Sequence, residues 1–382
     1  MGRDGFEILV NGIKLVVIFL MMVQAVPILV WLERRGSAFI QNRFGPNRVG
    51  PLGLLQLLAD AVKFLFKEEF APAKGIRLLY YAAPVAALVP ATLAFAAIPL
   101  STPIKIDSFE MFGQTWGPYT FLMQGYEIGV GIVFVLAVSS LAAYSILMAG
   151  WGSGNKYSLL GALRASSQTI SYELALGLSI VGVILLYGTF NLSDMVQQQQ
   201  GLMSFQFMGY TVNGALPNWG IFYQPLGFIL FYAATFAESN RLPFDLAEGE
   251  AELVAGFHVE YGGFKMLLFF IGEYGHMLVA SGLIATFYFG GYQIPWVSPD
   301  SVLSWAQMKF GAGNAASVVT ALIHLLAFLV KVAVFLWIFI QVRWTLPRFR
   351  YDQLMDLGWK TMLPWALANT ILTALFIFVA HS

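Results

Sequence analysis

The chain contains no cysteine. That excludes disulfides, thiolate zinc sites, a cysteine nucleophile and any iron–sulfur cluster ligated by this polypeptide. Charge is nearly as scarce: Asp, Glu, Lys and Arg make up 11% of the 382 residues, against roughly 25% in a soluble chain. The 21 bases balance 21 acids, so no net charge draws the chain to nucleic acid. Histidine is rare as well. His258, His276, His324 and His381 are scattered without metal-ligand spacing, which predicts no metal site and a structural or interfacial role for each. No Ser/His/Asp order marks a hydrolase, and no internal repeat marks an inverted-repeat transporter. The run Gly150-Trp151-Gly152-Ser153-Gly154 lacks the preceding strand and the Lys-Ser/Thr pair of a phosphate loop.

What the chain has instead is apolar length. Hydrophobic residues make up 58% of it and the mean hydropathy is +0.71, which reads as an all-α integral membrane protein. A span needs about 20 apolar residues. Windows of that size fall near 13–33, 79–100, 126–149, 160–186, 221–238, 264–289, 316–341 and 362–380, so about eight transmembrane helices form one polytopic domain over residues 1–382. The run Leu15 to Leu32 is too long for a signal-peptide core, lacks a cleavage site and reads as a retained first span. The N-terminal Met1-Gly2-Arg3-Asp4-Gly5-Phe6 lacks the Ser or Thr of a myristoylation motif.

Basic residues orient the set. The segments 34–77, 150–164, 239–263 (with Lys265 at its edge) and 341–360 hold 16 of the 21 bases. The positive-inside rule makes these four cytoplasmic, and eight spans then put both termini outside. The opposite loops, 101–125 and 191–223, are polar, glycine-rich and nearly uncharged; they read as surface-lying connections.

Against this background one stretch is out of character. Ala237 to Tyr261 reads AESNRLPFDLAEGEAELVAGFHVEY, with acids at Glu238, Asp245, Glu248, Glu250, Glu252 and Glu260 and only Arg241 to offset them. Carboxylates beside hydrocarbon are costly and usually line a water-filled path or a site, although a solvated acidic loop has the same composition. If 246–254 is helical, Asp245, Glu248 and Glu252 share one face at i, i+3 and i+7. Mutual repulsion there favours partial protonation.

The first inward segment is the other informative one. After Glu33-Arg34-Arg35 comes Gln41 to Pro51, whose two Gly-Pro-type turns predict a rigid loop. The following GLLQLLADAVKFLFK, Gly53 to Lys67, carries Gln56, Asp60, Lys63 and Lys67 as a narrow polar stripe, the pattern of an amphipathic helix in the membrane interface. A long-tailed amphiphile could enter between this helix and the first span; a topology anchor has the same pattern. Within the spans lie Glu173, Glu273 and Lys331. Each costs roughly 2.5–3.5 kcal/mol at a helix centre and should face a partner or water. Together with the acidic loop they point to a proton relay.

Four blocks carry a resemblance. They are Glu33-Arg34 with QNRFGPNRVGPLGLLQLLADAVK; SSLAAYSILMAGW followed by ISYE; the acidic stretch itself; and RWTLPRFRYDQLMDLGWK from Arg343 to Lys360. In order and over nearly the whole chain, they resemble the H-subunit family of respiratory complex I, the proton-pumping NADH–quinone oxidoreductase, whose mitochondrial counterpart is subunit one. The outward loops, especially 191–223, look expanded relative to compact members.

The resemblance implies a junction subunit in the cell inner membrane that forms the chamber through which quinone, ubiquinone or menaquinone, enters. It implies no redox centre on this chain, with FMN and the Fe–S clusters in partner subunits. Those partners are the quinone-site subunits of the hydrophilic arm and small subunits of the membrane arm. By the same resemblance Arg34, Arg43, Asp60 and Arg343 fall in the quinone chamber. Glu173, Glu238, Asp245, Glu248, Glu250, Glu252, Glu260 and Glu273, with Arg241 beside them, couple quinone chemistry to proton movement. The alternative within the same fold is the ion-translocation subunit of a membrane-bound hydrogenase. A stand-alone secondary transporter, with the acids as its ion site, is the alternative from another class.

Overall fold

A computed structural model of the chain describes all residues except 1–2, 108, 112–113, 117, 208–209, 247–255, 312 and 382. Helices dominate it: α1 (Arg3–Ile40), α2 (Gln56–Phe66), α3 (Arg77–Ala96), α4 (Gly131–Ser139), α5 (Leu141–Gly152), α6 (Lys156–Tyr187), α7 (Leu192–Gln198), the single turn α8 (Gly220–Tyr223), α9 (Pro225–Glu238), α10 (Gly263–Tyr288), α11 (Pro299–Phe310), α12 (Asn314–Thr345), α13 (Tyr351–Asp356) and α14 (Leu363–His381). A π-helical stretch, Leu357–Met362, joins the last two. Among the described residues seven helices or continuous helix pairs are long and apolar enough to cross a membrane. The chain is an all-helical, multi-pass membrane protein.

Local chemistry sets several boundaries. Asn155 caps α6 by accepting from the Tyr157 amide, and Gly188, at φ 63°, ends it in the left-handed conformation. The apolar window 221–238 is divided, because Pro225 stands at the first position of α9 where its missing N–H costs nothing. At about 1.5 Å per residue the 14 residues of α9 reach about 21 Å, less than the ~30 Å of a hydrocarbon core. The third apolar window is interrupted at Ser140, between α4 and α5. Ser139 and Ser140 donate back to the carbonyls of Leu136 and Ala137, a local bond that competes with the helical ladder.

The 101–125 and 191–223 segments carry strands. β1 (Ile104–Ile106) pairs antiparallel with β4 (Tyr119–Phe121), and β2 (Phe109–Met111) with β3 (Gln114–Trp116). β5 (Leu202–Phe207) and β6 (Tyr210–Pro217) form a further hairpin. Apolar residues stand opposite one another in Ile104 and Phe121, while Lys105 meets Thr120 on the alternate face. Three-residue strands are too short to show a two-residue period along the chain.

The packing centre is α10. Of its most apolar window 78% is buried, so polar groups on it are enclosed by protein. It runs along α3 and also touches α1, α2, α9 and α12. Close approach to α3 depends on Gly272, where a Cβ would lie 2.9 Å from the carbonyl oxygen of Ala87. Gly272→Ala is therefore expected to destabilise, although alanine gains about 1 kcal/mol of helix propensity, because overpacking costs about 1–3 kcal/mol. Gly12→Ala in α1, where nothing lies within 4 Å, should do the reverse. The thermal midpoints of the two purified variants decide the point; equal midpoints would contradict this account of the α3–α10 contact.

Candidate functional site

α1, α2, α10 and the end of α12 enclose a cavity of about 1030 Å³. Most of its wall is apolar, including Val26 and Val30 from α1, Leu57 and Phe64 from α2, and Leu267 and Phe270 from α10. The rings of Phe64 and Phe270 meet edge to face at 6.4 Å and join α2 to α10. The charged wall residues are Glu33, Arg34, Arg43, Asp60, Lys63 and Arg343. Arg34 donates to Asp60 at 2.5 Å, Gln56 donates to the other carboxylate oxygen at 3.1 Å, and Lys63 stands 3.9 Å away. Asp60 and Lys63 of the polar stripe of α2 thus form part of the cavity wall. Arg43 is exposed in the 41–50 loop and donates to Gln41 at 2.6 Å. Gly53 closes that loop: its φ is +76° and a Cβ would lie 2.3 Å from the Pro46 carbonyl oxygen, so no other residue fits.

Glu33 is the inner wall. It is 8% exposed, pairs with Arg343 and accepts a 2.7 Å hydrogen bond from the Tyr274 hydroxyl. Tyr274 and Glu273 are consecutive on α10 and point about 100° apart, the first into the large cavity and the second away from it. Arg241 spans the two. Its guanidinium lies 4.0 Å from the centroid of the Tyr274 ring, and its Nη2 is 3.9 Å from Glu273. His258 Nε2 is 3.5 Å from the other Glu273 oxygen. Beyond Glu273 is a second, small cavity that Glu238, Asn240 and His276 also line. Ser139 is within hydrogen-bonding reach of Glu238, and Ser140 of Glu173.

The turn that carries Glu238 and Arg241 is clamped from α6. Gln168, fully buried, donates to the carbonyls of Ala237 at 2.9 Å and Phe244 at 2.7 Å. A cis Leu242-Pro243 bond lies between those two contacts.

The NADH dehydrogenase family model matches residues 13–374. The NADH-quinone oxidoreductase H subunit of Bdellovibrio bacteriovorus is 72% identical over 381 residues, covering 100% of this chain and 99% of the relative. The second H subunit of Geobacter sulfurreducens is 42% identical over 373 residues, 98% of each chain. The H subunit of Leptospira biflexa is 42% identical over 376 residues, covering 98% of this chain and 96% of the relative. The chain belongs to the family of NADH-quinone oxidoreductase H subunits. Membership makes it one component of a larger membrane enzyme, respiratory complex I, and with no cysteine it holds no Fe–S cluster of its own.

Within this H subunit the expected site residues separate into groups. Arg34, Arg43, Asp60 and Arg343 all line the large cavity. Glu238 and Glu273 line the small one, with Arg241 3.9 Å from Glu273, and Glu173 is within reach of Ser140. Asp245 belongs elsewhere: it is buried and paired with Arg348 at 2.9 Å. Glu260 accepts from Asn155 at 2.8 Å, while its carbonyl accepts from the Tyr80 hydroxyl at 2.7 Å. It fastens the end of the acidic stretch to α3 and to the turn before α6. Tyr261 stacks on Tyr80 at 4.5 Å in the same contact. Burial pushes the Tyr261 hydroxyl above its usual range, so it stays a neutral donor to the Tyr80 carbonyl. Glu248, Glu250 and Glu252 lie outside the described residues.

Lys331 departs from the relay expected of it. Its ammonium donates to the carbonyls of Phe289, Gly291 and Gln293 at 2.6, 2.9 and 2.5 Å and sits over the Trp219 ring. It closes the C-terminal end of α10, where carbonyls lack helical partners and the dipole favours a cation. The histidines depart in the other direction: His258 and His276 stand among the acids instead of serving only as packing. Glu33, Tyr274 and Gln168 were not singled out by the sequence. The Glu273-Tyr274 pair inside an apolar helix was a visible signal; Gln168, in a helix of mixed polarity, left none.

Proposed function

We propose that this H subunit forms the chamber through which quinone enters complex I and links quinone reduction to proton translocation through carboxylates. The observation that carries the reading is the shape and charge of the large cavity. A quinone needs an apolar slot for its tail and a few polar groups at its head, and the cavity has a mostly apolar wall that also carries Arg34, Arg43, Asp60, Glu33 and Arg343. The arginines there favour the anionic character that develops as the head is reduced. Reduction to quinol takes two electrons, from a centre in a partner subunit, and two protons. Each charge change at the head acts on Glu33, which shares Arg343 with the cavity and Tyr274 with the interior. The contact series Glu33, Tyr274, Arg241, Glu273 then leads to Glu238 and Glu173. The turn carrying Arg241 and Glu238 is the element whose position both ends of the series bias. In this reading the cavity mouth faces the cytoplasm of a bacterial cell and both chain termini lie on the periplasmic side.

The test is purification through a tag on this chain, followed by NADH oxidation with a soluble quinone and with a hydrophilic artificial acceptor. Both activities are expected, and Arg43→Ala should lower only the first, by about tenfold, the worth of one charge-assisted hydrogen bond. Loss of neither would remove Arg43 from the quinone path. Hydrogen-linked activity in place of NADH oxidation would turn the assignment to the hydrogenase module, and a lone protein with neither activity to a transporter.

A further inference from the structure

We propose that His276 is a proton carrier between Glu273 and Glu238, acting through water held in the small cavity that the three side chains share. The inference deepens the carboxylate-chain reading above and rests on it. The cavity measures about 30 Å³, and one water needs roughly 10–15 Å³, so about two fit. Two of its polar atoms, Asn240 Oδ1 and His276 Nε2, are buried without a partner among the described residues. Buried polar groups are rarely left that way, and a bridging water satisfies both. The remainder of the wall is largely apolar, with Ala87, Ala142, Ile146, Phe257 and Phe269, so water has few other anchors there.

The placement of the ring supports a carrier over a packing residue. His276 is 8% exposed and lies one helical turn from Glu273, on the same face of α10. The titratable and charged groups around His276 are few. Its own helix supplies Glu273, α9 supplies its last residue Glu238, and the turn after α9 supplies Arg241 at 3.9 Å from Glu273. The 256–260 turn supplies His258, also on Glu273. The faces of α3 and α5 present Ala87, Ala142, Ser145 and Ile146, none of them charged. The step moves one proton and no electrons. Protonated Glu273 releases its proton through water to His276 Nε2, leaving a carboxylate and an imidazolium, and the imidazolium releases that proton to the Glu238 carboxylate.

The experiment uses the whole complex in membrane vesicles. Quinone-linked NADH oxidation is divided by oxidation with a hydrophilic acceptor, so that the amount of assembled enzyme cancels. His276→Asn keeps a polar group that cannot titrate, and His276→Leu removes polarity as well. Both are expected to lower the ratio by about tenfold or more, at the low end of what a lost proton-transfer group costs. The pH profile of His276→Asn should also differ in shape from that of the parent. A parental ratio and profile in His276→Asn overturns the proposal, whether or not His276→Leu is impaired, since polarity alone would then suffice. Glu238→Gln, measured in parallel, separates the two levels. If it is impaired while His276→Asn is not, only the histidine step fails; if it too is unimpaired, the carboxylate reading fails with it.

Discussion

Glu33→Gln is expected to lower quinone-linked NADH oxidation by about tenfold to a hundredfold while oxidation with a hydrophilic acceptor continues. Glu33 is buried at the inner wall of the large cavity and is shared by Arg343 and Tyr274. A hydrogen bond to a charged group contributes about 1.5–3 kcal/mol, and about 1.4 kcal/mol corresponds to tenfold. Glutamine keeps the shape but leaves the Arg343 guanidinium, itself partly buried, without its counter-charge. It also weakens the hydrogen bond from Tyr274 of α10. The decisive form of the experiment is a double-mutant cycle with Arg343→Gln. Because the two groups act on each other, the double variant should be little worse than either single one. Strictly additive losses would mean that the pair does not act as a unit, and the route through Glu33 would have to be abandoned.

Glu238→Gln should have an effect of similar size at the far end of the series. The carboxyl group lines the small cavity with Glu273 and His276 and lies within hydrogen-bonding reach of Ser139. Glutamine retains hydrogen bonding and volume but cannot take up and release a proton. Quinone-linked turnover and the proton gradient formed in vesicles are both expected to fall by about tenfold or more, a modest figure for a lost acid–base group. The amount of assembled complex, read from the hydrophilic-acceptor rate, should stay unchanged. Normal turnover with normal pumping would sink the role of Glu238. Normal turnover with reduced pumping would assign it to translocation alone.

Much of this was legible without coordinates. Apolar windows of about 20 residues and the scarcity of charge specify a helical membrane protein, because hydrocarbon admits little else. The motif blocks around Arg43, Glu238 and Arg343 were sufficient to indicate the family. Polar residues inside apolar runs are visible as such, which is why Glu173, Glu238 and Glu273 stood out. What they face is a different matter. Lys331, the third intramembrane charge alongside Glu173 and Glu273 by sequence, binds three carbonyls at the end of α10 instead. Asp245 and Glu238, seven residues apart in one acidic stretch, turn to different partners, Arg348 for the first and the small cavity for the second.

The sequence by itself determined which residues are costly in a bilayer and therefore need a partner, since that depends only on each side chain and its apolar neighbours. Only the tertiary structure decided which partners they have. Glu33 and Arg343 are 310 residues apart in the chain, and His258 meets Glu273 only because the turn after the acidic stretch folds back on α10. Helix packing brings such groups within a few ångströms, and no periodicity along one segment carries information about a side chain on another.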